Sequence, residues 1–412
     1  MGDYSNKIKK RRDMTGNNTD SGLSYMRDKA AIAGIGETEF SFDSGRTEWQ
    51  LACEAIKAAC DDAGISPHEI DGLFRQDAEN NDENLIVSGL GLQNIRHWES
   101  ITYGGGGANA TVAHAAAAIA VGYCDVAVCW RAANDRSGVI RRGQSRGSEG
   151  IPGGAQSFST PFGSMAAAHS FGGMFTRRYM HEYGATSRHF GWVAVTLRHH
   201  ASRNPRSLRP DPITIDDHQN SPMVTDPLHL LDFCQVNDGA VAIILTSAER
   251  AKDLRRGNAP LALVEAGAQA SGTNTNGAVY RPDLSEVESY NSARDLYSRS
   301  GLAASDMDAF LPYDHFTPFV LMGLEAFGFV PRGEAKDFVE GGENIRFDGT
   351  LPVNTHGGNH SEAYIQGMTH PQEAARLIWG ESTSQPPNKE INRVLVGSSA
   401  AQLSGGLIIR KS

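Results

Sequence analysis

Residues 63–74 read AGISPHEIDGLF, and residues 300–311 read SGLAASDMDAFL. The two align without a gap: Gly64 falls on Gly301, Ile70 on Met307 and Asp71 on Asp308. Each follows a stretch with helical periodicity, TEWQLACEAIKAACDDAG (47–64) and SEVESYNSARDLYSRSG (285–301), and the glycine sits where a helix stops. Working outward, AAIAGIG (30–36), EIDGLF (69–74), WESITY (98–103), DVAVCWRA (125–132) and AVAIILTS (240–247) read as strands of a first unit. LALVEAGA (261–268), MDAFLPYD (307–314), LPVNTHGG (351–358), RVLVGSS (393–399) and GLIIR (406–410) read as strands of a second. The glycine runs at 104–107 and 357–358 each fall between a strand and a long helix, ANATVAHAAAAIAVGY (108–123) and EAYIQGMTHPQEAARLIWG (362–380). Alternating strands and helices predict an α/β fold with mixed, mostly parallel sheets, and the repeated order predicts a duplication. The expected division is a disordered leader over 1–26, a first half over 27–250 carrying an inserted loop region at about 133–235, and a second half over 260–412.

The bulk properties narrow the class. A chain of 412 residues is long for one compact core, and 40% hydrophobic with 21% charged residues is ordinary globular composition. A net charge of −10 with no basic face in the folded part argues against nucleic-acid binding. No apolar run approaches the roughly 20 residues that span a bilayer. The leader, with its KIKKRR run, lacks the apolar core of a secretory signal and reads as a solvated tail. Cys53, Cys60, Cys124, Cys129 and Cys234 are odd in number and form no C-x-x-C, so a reduced, cytoplasmic protein is expected.

The stretch NTHGGNHSEAYIQG (354–367) puts glycines, imidazoles and a tyrosine ahead of a helix, where backbone N–H groups converge on developing negative charge. His356 and His360 stand four apart, but Gly357 and Gly358 between them argue against a helix and hence against a metal pair. Glu362 reads as an early-turn helix charge. Arg131, Arg141, Arg142 and Arg146 are either a solvated cluster or contacts for coenzyme A phosphates.

Three stretches carry a resemblance: DPLHLLDFCQVNDGAVAIILT (226–246), LPYDHFTPFVLMGLEAFGFVPRGEA (311–335) and LPVNTHGGNHSEAYIQG (351–367). With the duplicated order, they make the chain similar to the thiolase superfamily, in its sterol-carrier-protein-type and lipid-transfer-protein branch. The resemblance implies a duplicated, five-layered αβαβα fold acting on acyl-coenzyme A thioesters. The chain departs from the family where thiolases keep their thiols. Gly104 stands at the nucleophile position with Gly107 matching the glycine after it, and Gly397 or Ser398 stands at the second cysteine. Counting from Asn354, the activating histidine falls on Tyr364, and the polar catalytic residue of the YDHF segment falls on Tyr313, with Asp314 kept.

Without a thiolate no acyl-enzyme forms. The same loss marks the steroid side-chain-cleaving retro-aldolases, which this sequence resembles most. The resemblance implies retro-aldol cleavage of a 17-hydroxy-steroid acyl-CoA side chain to a 17-ketosteroid and propionyl-CoA, a carbon–carbon lyase reaction. Tyr364 is expected as base and Tyr313 as acid, with Asp314 beside them. His315, His356 and His360 are expected as the cations or donors that lower a phenol's pKa. Gly104, Gly105 and Gly107, with Gly357 and Gly358 at the second turn, are expected to form the oxyanion and turn backbone. No metal or separate cofactor is implied, since coenzyme A is part of the substrate. The branch implies a homodimer core and a small partner subunit of OB-fold and zinc-ribbon type, as an α₂β₂ heterotetramer. A thiolase-like lyase on another β-hydroxyacyl-CoA, or a non-catalytic lipid-binding subunit, remains open from sequence.

Overall fold

The computed structural model describes residues 26–101, 107–138, 168–255, 259–272, 283–398 and 403–412. β1 (Ala30–Glu37) is rich in small residues, and its glycines explain its place. A Cβ at Gly36 would lie 2.2 Å from the Ala59 nitrogen and 2.3 Å from the Ala55 oxygen, so the Glu48–Ala63 helix rests directly on the strand backbone. Thr47 caps that helix by accepting from the Gln50 N–H, and Gly64 ends it in the left-handed region at φ 72°.

The remaining strands are β2 (Gly72–Gln76), β3 (His97–Ile101), β4 (Val126–Asn134), β5 (Met223–Thr225), β6 (Leu228–His229), β7 (Asp238–Ser247), β8 (Ala262–Ala270), β9 (Ala309–Pro312), β10 (Arg393–Gly397) and β11 (Ser404–Lys411). All but the β5–β6 pair join one sheet in the order β3-β2-β4-β7-β1-β8-β11-β10-β9. Outward from β1 come β7, β4, β2 and β3; outward from β8 come β11, β10 and β9, and then Val353, which bridges Phe310 in parallel. The directions match as well: β1·β7 and β4·β7 are antiparallel like β8·β11 and β10·β11, and β2·β4 and β2·β3 are parallel like β9·β10. β1 and β8 meet antiparallel through Ala31↔Leu263 and Ile32↔Ala262.

The sheet is therefore mixed, but parallel pairing is the minority, not the majority expected. β10 and β11 are joined by too few residues for a parallel crossover, and β7 takes the same antiparallel place in the first arm. Two further expectations shift. LPVNTHGG contributes only the Val353 bridge, and the helix expected from residue 362 begins at Thr369, because Gln366 at φ 48° and Gly367 at φ 81° break it. Residues 1–25 lie outside the described residues, as do 139–167 of the expected insertion; the rest of that insertion is no loop region throughout, since it holds the helices Ala168–Tyr183 and Ser187–Ala201. Met26, expected in the leader, is buried in the central core.

Three apolar clusters define the layers. The central one joins the Gly107–Ala120 and Thr369–Trp379 helices to Ile32, Phe74 and Val241 of one arm and to Val264, Leu311, Val396 and Leu407 of the other. One outer cluster packs the Glu48–Ala63 helix on the first arm; the other packs the Ser187–Ala201, Ser289–Ser300 and Thr317–Ala326 helices on the second. In β7, Val241, Ile243 and Leu245 face inward while Ala240, Ala242 and Ile244 face outward, the period of a strand buried on both sides. Helix, sheet, helix, sheet, helix makes five layers. The central helix can lie between two arms because alanines line it almost all round.

Gly36→Ala is expected to destabilise the protein by roughly 1–3 kcal/mol, since the clash is with helix backbone and no side chain can yield. Urea unfolding of the two proteins side by side checks it, with an unchanged midpoint counting against this packing.

Candidate active site

Tyr313 is the first residue beyond β9, and its N–H donates to the Gly397 carbonyl at 2.8 Å, which fixes where the strand end points. Its ring lies over Gly367, where a Cβ would come 2.8 Å from Tyr313 Cδ2 and 3.9 Å from the Ala108 Cβ. The start of the Gly107–Ala120 helix therefore abuts the same spot. Tyr364 follows the short Gly358–Ser361 helix, and Asn237 Oδ1 accepts its N–H at 2.7 Å. The two phenol hydroxyls are hydrogen-bonded to each other. Their ring centroids are 6.2 Å apart at 56°, and each residue is 7% exposed.

The frame around them is polar, buried and strained. Asn354 adopts φ 45°, Gly357 φ 103° and Gly358 φ 63°. Asn354 Nδ2 donates to the Pro312 carbonyl at 3.0 Å, and its N–H reaches the Phe310 carbonyl at 3.2 Å, tying this loop to β9. Asp314 Oδ1 accepts from the Asn359 N–H at 3.0 Å, Asn359 Nδ2 at 2.8 Å and His370 Nε2 at 3.1 Å. Gly358 must be glycine: a Cβ would sit 2.2 Å from Asp314 Oδ2. Burial disfavours the Asp314 charge, but the hydrogen bonds from His370 and the Asn359 N–H outweigh it and hold the carboxyl below its usual range. Asp314 Oδ2, His315 Nδ1, Asn354 Oδ1, Asn359 Oδ1 and His360 Nε2 are buried with no hydrogen-bond partner among the described residues. Such concentration of unused polar capacity fits a site that takes a polar ligand.

The structure gathers Tyr313, Tyr364, Asp314, His315, His356, His360, Gly357 and Gly358 into one buried region. The expected cationic histidines are corrected. Burial pushes His315 down to about 4, depresses His360, and holds His356 well below the usual range. At neutral pH these imidazoles carry no charge, so they can act on the phenols only as hydrogen-bonding groups. Of the three, His315 lies tilted against the Tyr313 ring, centroids 5.0 Å apart at 33°, while His356 meets His370 edge-on at 4.9 Å.

Among the expected oxyanion glycines, Gly107 opens its helix, while Gly104 and Gly105 lie outside the described residues. Arg141, Arg142 and Arg146 do too. Arg131 is no surface cation: it is 2% exposed and donates to Gln366 Oε1 at 2.7 Å and Glu79 Oε2 at 3.3 Å. Burial raises the Cys60 and Cys124 thiols to about 12 and Cys129 well above its usual value, so these stay protonated. Cys234 reaches the site segment through its backbone, donating its N–H to the His315 carbonyl at 3.1 Å. A cavity of about 410 Å³ opens elsewhere, lined by Glu99, His114, Tyr123 and Arg299, and takes in none of the site residues.

Sequence reasoning missed His370, Asn237 and the real character of Glu362. The Glu362 carboxylate is buried, accepting from Asn204 Nδ2 at 2.8 Å and Arg206 Nε at 3.4 Å. Burial raises it to about 7 against the pull of Arg206 and Arg376. Only its position two residues before Tyr364 hinted at a role.

The fold and the sequence find their match among known proteins. A family model described as thiolase C-terminal domain-like matches residues 270–406. A steroid side-chain-cleaving aldolase of Thermomonospora curvata is 45% identical over 94% of this chain and 99% of its own. A 17-hydroxy-3-oxo-4-pregnene-20-carboxyl-CoA lyase of Mycobacterium tuberculosis is 45% identical over 92% of this chain and 99% of its own. A solved structure named Ltp2-ChsH2(DUF35) aldolase superposes with a TM-score of 0.86 at 44% identity, covering 94% and 98% of the two chains. The fold is thus that of the thiolases, and the relatives of 45% identity are named as an aldolase and a lyase, enzymes that break carbon–carbon bonds. The chain belongs to the thiolase superfamily, on the branch of the steroid side-chain-cleaving aldolases, whose members named here are lyases. Among the described residues, no helix is long and apolar enough to cross a membrane.

Gly367→Ala is expected to cost about 1–2 kcal/mol of backbone strain and to push the Tyr313 ring off its seat. Activity should fall further than stability does, which parallel thermal melts and rate measurements resolve. Glu362 gives a pH signature. Its folded pKa of about 7 lies above the ordinary 4.5, so the native state holds the proton more tightly. Stability then declines as pH rises from about 4.5 to 7, by about 3 kcal/mol, and levels off above. Glu362→Gln should flatten that slope in denaturant unfolding at pH 5 and pH 8.

Proposed function

We propose that this protein cleaves the side chain of a 17-hydroxy-steroid acyl-CoA by a retro-aldol reaction, with Tyr364 as base and Tyr313 as acid. The observation that carries the reading is the direct hydrogen bond between two buried phenols, at the ends of two segments otherwise built like a thiolase site. Names borne by relatives 45% identical over nearly their whole length support the substrate class.

The ionised Tyr364 takes the proton of the 17-hydroxyl. The C–O bond becomes a ketone as the bond from C17 to the thioester's α-carbon breaks. That electron pair enters the thioester as an enolate, and the Tyr313 hydroxyl protonates the α-carbon. One proton has been taken and one given. Passing a proton from Tyr364 to Tyr313 along their hydrogen bond restores the starting state. A phenolate matches the weakly acidic tertiary alcohol better than a carboxylate would. The enolate oxygen would be held by backbone N–H groups at the helix start near Gly107, together with the unused polar atoms of the Asn354–His360 loop. A small partner of OB-fold and zinc-ribbon class would complete an α₂β₂ assembly around a dimer of this chain; the name of the solved relative, Ltp2-ChsH2(DUF35) aldolase, supports a DUF35 partner subunit.

Incubating the chain and such a partner with a 17-hydroxy-steroid acyl-CoA should release propionyl-CoA and a 17-ketosteroid, read by mass spectrometry. Tyr364→Phe or Tyr313→Phe should slow release by about 10²- to 10⁴-fold. Acetyl exchange into coenzyme A, or full activity in both variants, would overturn the reading.

A further inference from the structure

We propose that His370 is a positioning residue for the acid–base pair, clamping Tyr313 by the backbone before it and the side chain after it. The inference rests on the reading of Tyr313 as an acid–base group. His370 is 1% exposed, and its Nε2 lies 3.0 Å from the Pro312 carbonyl and 3.1 Å from Asp314 Oδ1. Those are the two residues that flank Tyr313. One N–H on Nε2 thus serves two acceptors on either side of the phenol-bearing residue. Asp314 and the His356 ring, 4.9 Å away edge-on, are the titratable groups recorded against it, and Thr369 Oγ1 lies 3.4 Å from Nδ1.

The clamp and the seat come from the same turn. Gly367, whose missing side chain admits the Tyr313 ring, precedes His370 by three residues at the start of the Thr369–Trp379 helix. That helix is buried along almost its whole length, so it behaves as a rigid body. The Tyr313 ring is pressed from one side by this body and its backbone is gripped by it from another. A histidine that merely filled the core would need one acceptor anywhere, whereas this one brackets a single residue.

His370→Phe keeps a flat ring and deletes the donor; His370→Gln keeps an N–H at similar reach. In the chain with its partner subunit, His370→Phe is expected to lower kcat by up to about 10²-fold with KM unchanged, and His370→Gln to restore most of it. In the chain without substrate, the alkaline titration of Tyr313, isolated by ultraviolet difference against Tyr313→Phe, should shift in His370→Phe but not in His370→Gln. If His370→Phe does not fold, His370→Asn, whose amide is too short to span both acceptors, takes its place with the same expectations. Wild-type kcat in the donorless variant, equal losses in the Phe and Gln variants, or an unmoved phenol titration would overturn the clamp. A wild-type chain inert toward the steroid acyl-CoA would overturn the substrate reading alone, because the titration needs no substrate.

Discussion

Everything in this molecule depends on how two arms of one sheet are joined. β1 and β8 meet antiparallel over a short ladder, Ala31↔Leu263 and Ile32↔Ala262. So small a seam would not hold by its hydrogen bonds, each worth about 1 kcal/mol net. The shared layer of helices holds it, since Gly107–Ala120 and Thr369–Trp379 bury apolar side chains against both arms at once. Alanine makes this possible by keeping the layer thin. As a result the helix start at Ala108, from the first arm, arrives beside the end of β9, from the second. The tyrosine pair is assembled at that meeting point.

Burial decides the chemistry there as much as residue type does. Imidazoles that would titrate just below neutrality in water are kept neutral to lower pH, and a carboxylate at Asp314 is kept ionised by directed hydrogen bonds. Glu362 sits between these limits, poised near neutrality by two arginines and Asn204. A region with so few mobile charges favours reactions that rearrange protons between neighbours over those that create a lasting covalent bond to a charged nucleophile. The absent thiols at the two family positions and the buried, protonated cysteines elsewhere agree with that.

The fold was largely legible because its signals are local. Helix stops at Gly64 and Gly301, and apolar strands at 240–247 and 261–268, need no tertiary knowledge. What misled was pairing direction, because an apolar run buried on both faces reads the same in parallel and antiparallel surroundings. The site's two tyrosines were found by counting along a motif, yet nothing in the chain announced that their hydroxyls touch. His370 was invisible for a similar reason: its acceptors, Pro312 and Asp314, lie far upstream and become neighbours only through packing. Glu362 looked solvent-facing because the helix expected to carry it gives way to a loop. Residues whose meaning is long-range stay silent in a single sequence.

The Arg131–Gln366 hydrogen bond has an implication for how this enzyme can be taken apart. Arg131 belongs to β4 of the first arm, while Gln366 sits two residues after Tyr364 in the second. A guanidinium almost shut off from water is thus wedged against the loop that carries Tyr364. Cutting between the arms would leave Arg131 its first-arm partner Glu79 but would take from Gln366 Oε1 the donor that Arg131 supplies. Both tyrosines lie on the second arm, yet the loop that carries Tyr364 takes part of its hold from the first, through Arg131 and Asn237, so the second arm alone would keep the pair without its frame.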